Sequence, residues 1–377
     1  MIGLAETGSG KTAAFVLPML VYISKMPPMT SANSAEGPYA LIMAPIRELA
    51  QQIETEARKF AEPLGYRVCS VVGGLPIEAQ GMALREGCEI VVATPGRMID
   101  CLDRRFCVLN QCKYLVLDEA DRMIDMGFEP QVQGVLDAIP SSNLKPEEEN
   151  DLMDTGGSTV YRQTFMFSAT MPPAVERLAR KFLRRPVIIA VGETGKSADL
   201  VEQKVEFLAS EQKKKNRLSE LIRMLEPPII VFVNTKKGCD AVSRSIEGDT
   251  GVRTAVIHSG KNQEQREENL SNFKSGKLGV LIATDVLGRG IDIKGVNHVV
   301  NFEMPKQIDP YIHRIGRTGR AGRKGTAWTL VTAADSDVFY DLKVKLEAAG
   351  AHVPSEIMKS DAVRNSSGGI FGRAIVD

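Results

Sequence analysis

The sequence predicts an α/β protein made of two tandem units, each built on a parallel sheet. Three observations carry that reading. The chain has 377 residues, too many for one ordinary core. Apolar runs recur as unbroken blocks rather than alternating patterns, as strands do when both faces of a parallel sheet are covered. Most of these runs end in small, polar or charged residues, and open α/β sheets gather ligands at the carboxyl ends of their strands.

The first element is the apolar strand "MIGLA" (1–5), which enters a glycine-rich turn and then a helix. Strand, glycine turn and helix in that order make a phosphate-binding loop, "GSGKT" (8–12). The glycines Gly8 and Gly10, around Ser9, let backbone N–H groups point at phosphate oxygens. Lys11 can reach the β- and γ-phosphates, and the Thr12 hydroxyl can ligate Mg²⁺. The strict pattern has Gly where Ala5 stands. A flexible turn before an ordinary helix is the blander reading, and the order of elements weighs against it.

The stretches "YALIMAP" (39–45), "EIVVATP" (89–95), "KYLVLDEAD" (113–121) and "QTFMFSAT" (163–170) read as further strands of this unit. The third delivers Asp118 and Glu119 to its carboxyl end. A nucleotide-bound Mg²⁺ needs an outer carboxylate, which Asp118 fits, and hydrolysis needs a group to orient water, which Glu119 fits. Alternatively, either acid merely caps the helix "RMIDMGF". The polar, acidic segment 141–160 reads as a mobile surface insertion.

A second series follows: "PPIIVFVNT" (227–235), "RTAVIH" (253–258), "GVLIATD" (279–285), "HVVNFEMP" (298–305) and "GTAWTLVT" (325–332). Helical stretches such as "QEQREENLSNFKSG" (263–276) fall between them. This unit has no phosphate loop. The expected boundaries are 1–190 for the first unit, 191–200 for a linker, 201–350 for the second unit and 351–377 for a partly ordered tail. In "YIHRIGRTGRAGR" (311–323), Arg314, Arg317 and Arg320 sit three apart and would share one helix face. They form either a solvated basic stripe or the source of an arginine finger, which contributes about 10³–10⁵ in rate. A finger in the other unit would restrict hydrolysis to a closed state.

Composition narrows the partners. Lys plus Arg and Asp plus Glu each number 47, so the chain is no bulk polyanion binder and any nucleic-acid surface must be local. The six cysteines form no C-x-x-C pair and read as reduced, mostly buried thiols of an intracellular protein, with no zinc-ligand spacing. No apolar run is long enough to span a membrane. No secretory signal pattern opens the sequence.

Taken together, the motifs resemble those of the DEAD-box RNA helicases. They are "AETGSGKT" (5–12), "PIRELA" (45–50), "GG" (73–74), "TPGR" (94–97), "DEAD" (118–121), "SAT" (168–170), "ATDVLGRGIDI" (283–293) and "HRIGRTGR" (313–320), in family order over nearly the whole chain. The resemblance implies two RecA-like domains with a cleft between them, ATP and Mg²⁺ as cofactors, and RNA as partner. It adds Thr7 to the phosphate loop and gives the nucleotide ribose to Asp292 and the γ-phosphate to Arg317 and Arg320. It makes Ser168, Thr170, Asp121 and His313 the groups that couple hydrolysis to RNA. Arg47, Gly74, Thr94, Arg97 and Thr284 line the RNA backbone track. One departure stands inside a motif: Ile46 occupies a position where the family usually has Thr. A phosphate-contacting hydroxyl is thereby lost, unless Ile46 simply extends the buried strand before it.

The stretches "DRMIDMGFEP" (121–130), "MPPAVERLARKFLRRP" (171–186), "VNTKKGCD" (233–240) and "SGKNQEQRE" (259–267) are similar to the family's pre-mRNA splicing member. That similarity implies a monomer acting in the nucleus with spliceosomal proteins. The family carries an adenine-recognising aromatic residue and glutamine just upstream of the phosphate loop. The sequence therefore reads as an N-terminally truncated form, with weak ATP affinity and reduced rejection of GTP. The leading function is an RNA-dependent ATPase that remodels short RNA duplexes or RNA–protein complexes. An RNA clamp that barely unwinds, or a DNA-translocating ATPase, are the alternatives.

Overall fold

The computed structural model describes residues 1–5, 9–141, 161–191, 201–285, 293, 295–319 and 324–368. Contacts divide the chain into two compact units, Met1–Thr194 and Gly195–Asp377. The expected insertion at 141–160 lies outside the described residues except for Ser141 and carries no structural account.

The first unit holds seven strands: β1 (Ile2–Ala5), β2 (Ala40–Met43), β3 (Val68–Val71), β4 (Ile90–Ala93), β5 (Tyr114–Leu117), β6 (Gln163–Ser168) and β7 (Ile188–Val191). Their order in the sheet is β3-β4-β2-β5-β6-β1-β7, and every pairing is parallel. Strands β2, β4 and β5 are buried at every residue, which is why each reads as a continuous apolar block. Leu41, Met43, Val91, Leu115 and Leu117 anchor the core beneath the helices.

Two strands escape the pattern. In β3, "VCSV", the two middle residues are only partly buried. Strand β7 is apolar yet exposed at every residue, because it forms the sheet edge beside β1. The described part of the first unit ends there.

The second unit holds β8 (Val201–Phe207), β9 (Ile229–Phe232), β10 (Thr254–Ile257), β11 (Val280–Ala283), β12 (His298–Asn301) and β13 (Gly325–Val331). The order is β10-β11-β9-β12-β13-β8, again parallel throughout. Strand β8 was not legible as an apolar block. It is an edge strand whose residues alternate between buried Val201 and Val205 and more exposed Glu202 and Lys204. The expected helix after "KN" runs Gln263–Lys274, started by a capping box between Asn262 and Gln265. The segment read as a tail from 351 is partly folded: helices Ser355–Met358 and Asp361–Gly368 bury Ile357 and Val363.

All six cysteines are free thiols; Cys88, Cys101, Cys112 and Cys239 are buried and Cys69 and Cys107 half-buried. Among the described residues, no helix is long and apolar enough to cross a membrane.

Candidate active site

Strand β1 ends at Ala5, and the helix Lys11–Ile23 starts after Gly10, whose φ of 90° lies in the left-handed region that favours glycine. Among the described residues no side chain caps that helix, which leaves its first N–H groups available to an anion. The Lys11 ammonium donates to the Ala5 carbonyl at 2.7 Å, tying it to the end of β1. Ser9 and Gly10 are exposed, while Lys11 and Thr12 are half-buried. Thr7 and Gly8 lie outside the described residues.

Strand β5 delivers three carboxylates. Asp118 is 3% exposed; its N–H donates to the Met43 carbonyl, and its Oδ1 accepts the Glu119 N–H at 3.0 Å. Burial pushes the Asp118 carboxyl up to about 6, with Lys11 opposing the shift and Glu119 adding to it. A buried acid raised in this way, beside a lysine and an uncapped helix, fits a divalent cation bound with a nucleotide.

The same shift sets a stability test. The fold favours the neutral acid, so this contribution is complete below the ordinary value near 3.8 and is lost as pH rises through about 6. Asp118→Asn is therefore expected to stabilise the nucleotide-free chain at pH 8 by about 1–3 kcal/mol and to leave it unchanged at pH 4. Urea unfolding at both pH values measures it; an equal increment at both would remove the titration as the cause.

Glu119 sits at φ 52°, ψ 52°, a left-handed conformation uncommon for Glu, at the N-cap of the helix Ala120–Asp125. Its side chain makes no capping bond, so the capping reading fails for Glu119. Its carboxylate instead lies 3.5 Å from the Arg122 guanidinium, and both residues are buried.

Asp121 faces the "SAT" loop. Its Oδ2 accepts the Thr170 N–H at 3.1 Å and the Thr170 hydroxyl at 2.8 Å, and its own N–H donates to the Ser168 hydroxyl at 3.2 Å. Three of the four residues assigned to coupling are thus joined directly. The fourth, His313, is buried in the second unit.

The residues assigned to RNA in the first unit also converge. Arg47 donates to the Gly73 carbonyl at 3.0 Å and Arg97 to the Leu75 carbonyl at 2.7 Å, so two arginines grip one loop. Between those carbonyls, Gly74 has φ 79°, and a Cβ there would fall 2.6 Å from Arg47 Nη1. Thr94 is the N-cap of the helix Pro95–Asp103 and makes no side-chain cap. Ile46 does not extend β2, which stops at Met43. It is the buried, extended N-cap of the helix Arg47–Ala61, where an apolar side chain leaves the helix start uncapped.

In the second unit the basic stripe is corrected. The helix Ile308–Ile315 ends before Arg317, so Arg314 and Arg317 do not share a helix face. Nor are Arg314 and Arg317 solvated: they are 0% and 3% exposed. Arg314 pairs with both Asp285 oxygens at 2.6 and 2.8 Å, and donates to the Glu303 carbonyl and the Asn234 side chain, each at 2.7 Å. Arg317 Nε donates to the His313 carbonyl at 3.2 Å. Thr284 is nearly buried just past β11, its N–H directed at the Ile257 carbonyl at 3.4 Å. Asp292 and Arg320 lie outside the described residues. Sequence reasoning missed Arg122 and the trio Asn234, Asp285 and Glu303. The signal for the trio was present: each follows the end of one of three adjacent strands, β9, β11 and β12.

The DEAD/DEAH box helicase family pattern matches residues 1–178, and the helicase conserved C-terminal domain matches 213–322. DEAD-box ATP-dependent RNA helicase 21 of Oryza sativa subsp. japonica is 57% identical over 374 residues, covering 99% of this chain and 50% of that protein. The pre-mRNA-splicing ATP-dependent RNA helicase PRP28 of Chaetomium globosum is 53% identical, covering 97% of this chain and 53% of that protein. The chain thus spans about half the length of these curated relatives. The solved structure of S. cerevisiae Dbp5 bound to RNA and ADP BeF3 is 28% identical, with a TM-score of 0.74, covering 97% of this chain and 88% of that one.

Proposed function

Since the chain belongs to the DEAD/DEAH box helicase family, we propose that it is an RNA-dependent ATPase that remodels short RNA duplexes or RNA–protein complexes. One observation carries the coupling. Asp121, three residues from the buried Asp118, binds Thr170 through both its N–H and its hydroxyl. A change at the nucleotide carboxylates can therefore pass to the "SAT" loop through Asp121, by its side chain to Thr170 and its N–H to Ser168.

In this reading the open N-terminus of the helix Lys11–Ile23 and Lys11 hold the ATP phosphates. Thr12 and Asp118 hold Mg²⁺, which supplies charge neutralisation to the phosphates when bound. Glu119 orients the attacking water, and Arg317 and Arg320 supply positive charge to the transferred phosphoryl group. Arg47, Gly74, Thr94, Arg97 and Thr284 hold RNA by its backbone, which leaves base sequence unread. The names of the fungal relatives support a place in pre-mRNA splicing, with spliceosomal proteins as partners and the nucleus as location.

The test is ATP hydrolysis with and without single-stranded RNA. Stimulation of at least about tenfold is expected, with RNA held more tightly beside a non-hydrolysable ATP analogue than without nucleotide. Equal hydrolysis with and without RNA would overturn the proposal, and so would equal stimulation by duplex DNA.

A further inference from the structure

We infer that Arg122 is a positioning residue for ATP hydrolysis, fixing the Glu119 carboxylate through a buried ion pair. The inference rests on the function proposed above. An Asp at a helix N-cap ordinarily turns its carboxylate onto the helix N–H groups. Glu119 does not, although it occupies that position. Its carboxylate lies instead against Arg122 Nη1 at 3.5 Å, three residues on, with side-chain exposures of 8% for Glu119 and 5% for Arg122. Among the described residues, Arg122 is the one side chain that bonds this carboxylate.

Charge explains the need for it. Asp118 stands next to Glu119, so two buried carboxylates lie close together and repel each other. A guanidinium offsets that repulsion and, being planar and forked, also fixes a direction, which a lysine ammonium does less well. The backbone of Arg122 points the same way: its N–H donates to Asp121 Oδ1 at 2.9 Å. One residue thus touches the water-orienting carboxylate with its side chain and the coupling carboxylate with its main chain.

The experiment compares Arg122→Met and Arg122→Lys with the parent chain in RNA-stimulated ATP hydrolysis. Arg122→Met is expected to lower kcat at least about tenfold, with KM for ATP and affinity for a non-hydrolysable analogue within about twofold. Arg122→Lys should recover part of the loss. In a Glu119→Gln chain, Arg122→Met should remove nothing further from the residual single-turnover rate, because its action passes through Glu119. An unchanged kcat, or a loss of equal factor in the Glu119→Gln chain, would overturn the inference. If Arg122→Met does not fold, Arg122→Lys decides: a kcat lowered about threefold or more at unchanged KM supports it, and the parental kcat overturns it. A parent chain that hydrolyses ATP without responding to RNA would count against the proposed function alone, since these kcat ratios remain readable.

Discussion

Glu119→Gln is expected to stop ATP turnover while nucleotide and RNA binding persist. The substitution keeps the size of the side chain and removes only its charge. A positioned carboxylate acting on the attacking water contributes about 10²–10⁴ in rate, so turnover should fall by at least about a hundredfold. In the proposed function, ground-state binding is assigned to other groups: the helix start at Lys11, the Asp118 carboxylate, and the arginine-held loop at Gly73–Leu75. Steady-state hydrolysis and analogue binding, measured on one preparation, separate the two. Normal turnover in the variant would remove Glu119 from the chemistry.

Arg314→Leu is expected to unfold the second unit at a much lower temperature. Arg314 is fully buried and satisfies four acceptors on three segments that follow strands β9, β11 and β12. Deleting one partner of a buried pair costs about 3–5 kcal/mol, chiefly because the other is stranded. The Asp285 side chain is half-exposed, so water can take part of its charge and the lower end, about 3 kcal/mol, applies. For a unit of this size that corresponds to a fall of about 6–12 °C in Tm. Thermal unfolding measures it, with nucleotide binding at the first unit as the control. A change below about 1 kcal/mol would show that the network is redundant.

The contrast between these arginines shows what the sequence could and could not tell. Strands buried on both faces announce themselves, because "ALIM", "IVVA" and "YLVL" contain nothing water would want. The phosphate loop and the carboxylates at the end of β5 were legible for a related reason: they interrupt that apolar logic where a strand stops. The edge strands β7 and β8 were not, although β10, also at an edge, was. Strand β8 alternates and β7 is exposed throughout, so neither leaves the trace of a covered sheet. Spacing also misled. Arg314, Arg317 and Arg320 suggest one helix face, but the helix ends at Ile315. A charged residue carries no sequence mark of burial, so nothing in the sequence marked Arg314 as a core residue. Arg122 was invisible because its partner, Glu119, already had a role.

The bond between Asp121 and Thr170 sets a thermodynamic limit on a machine built around it. Two sites that communicate through a shared side chain exchange influence symmetrically: by whatever factor bound RNA changes affinity for nucleotide, nucleotide must change affinity for RNA. Two hydrogen bonds converge on that one carboxylate oxygen. Gained or lost together, they are worth about 1–3 kcal/mol, or roughly five- to a hundred-and-fifty-fold in affinity. Communication of that size strengthens or weakens a grip without making it permanent. Under the proposed function, coupling of this scale would let bound RNA go after each round of hydrolysis, which suits repeated local rearrangement better than long travel along a strand.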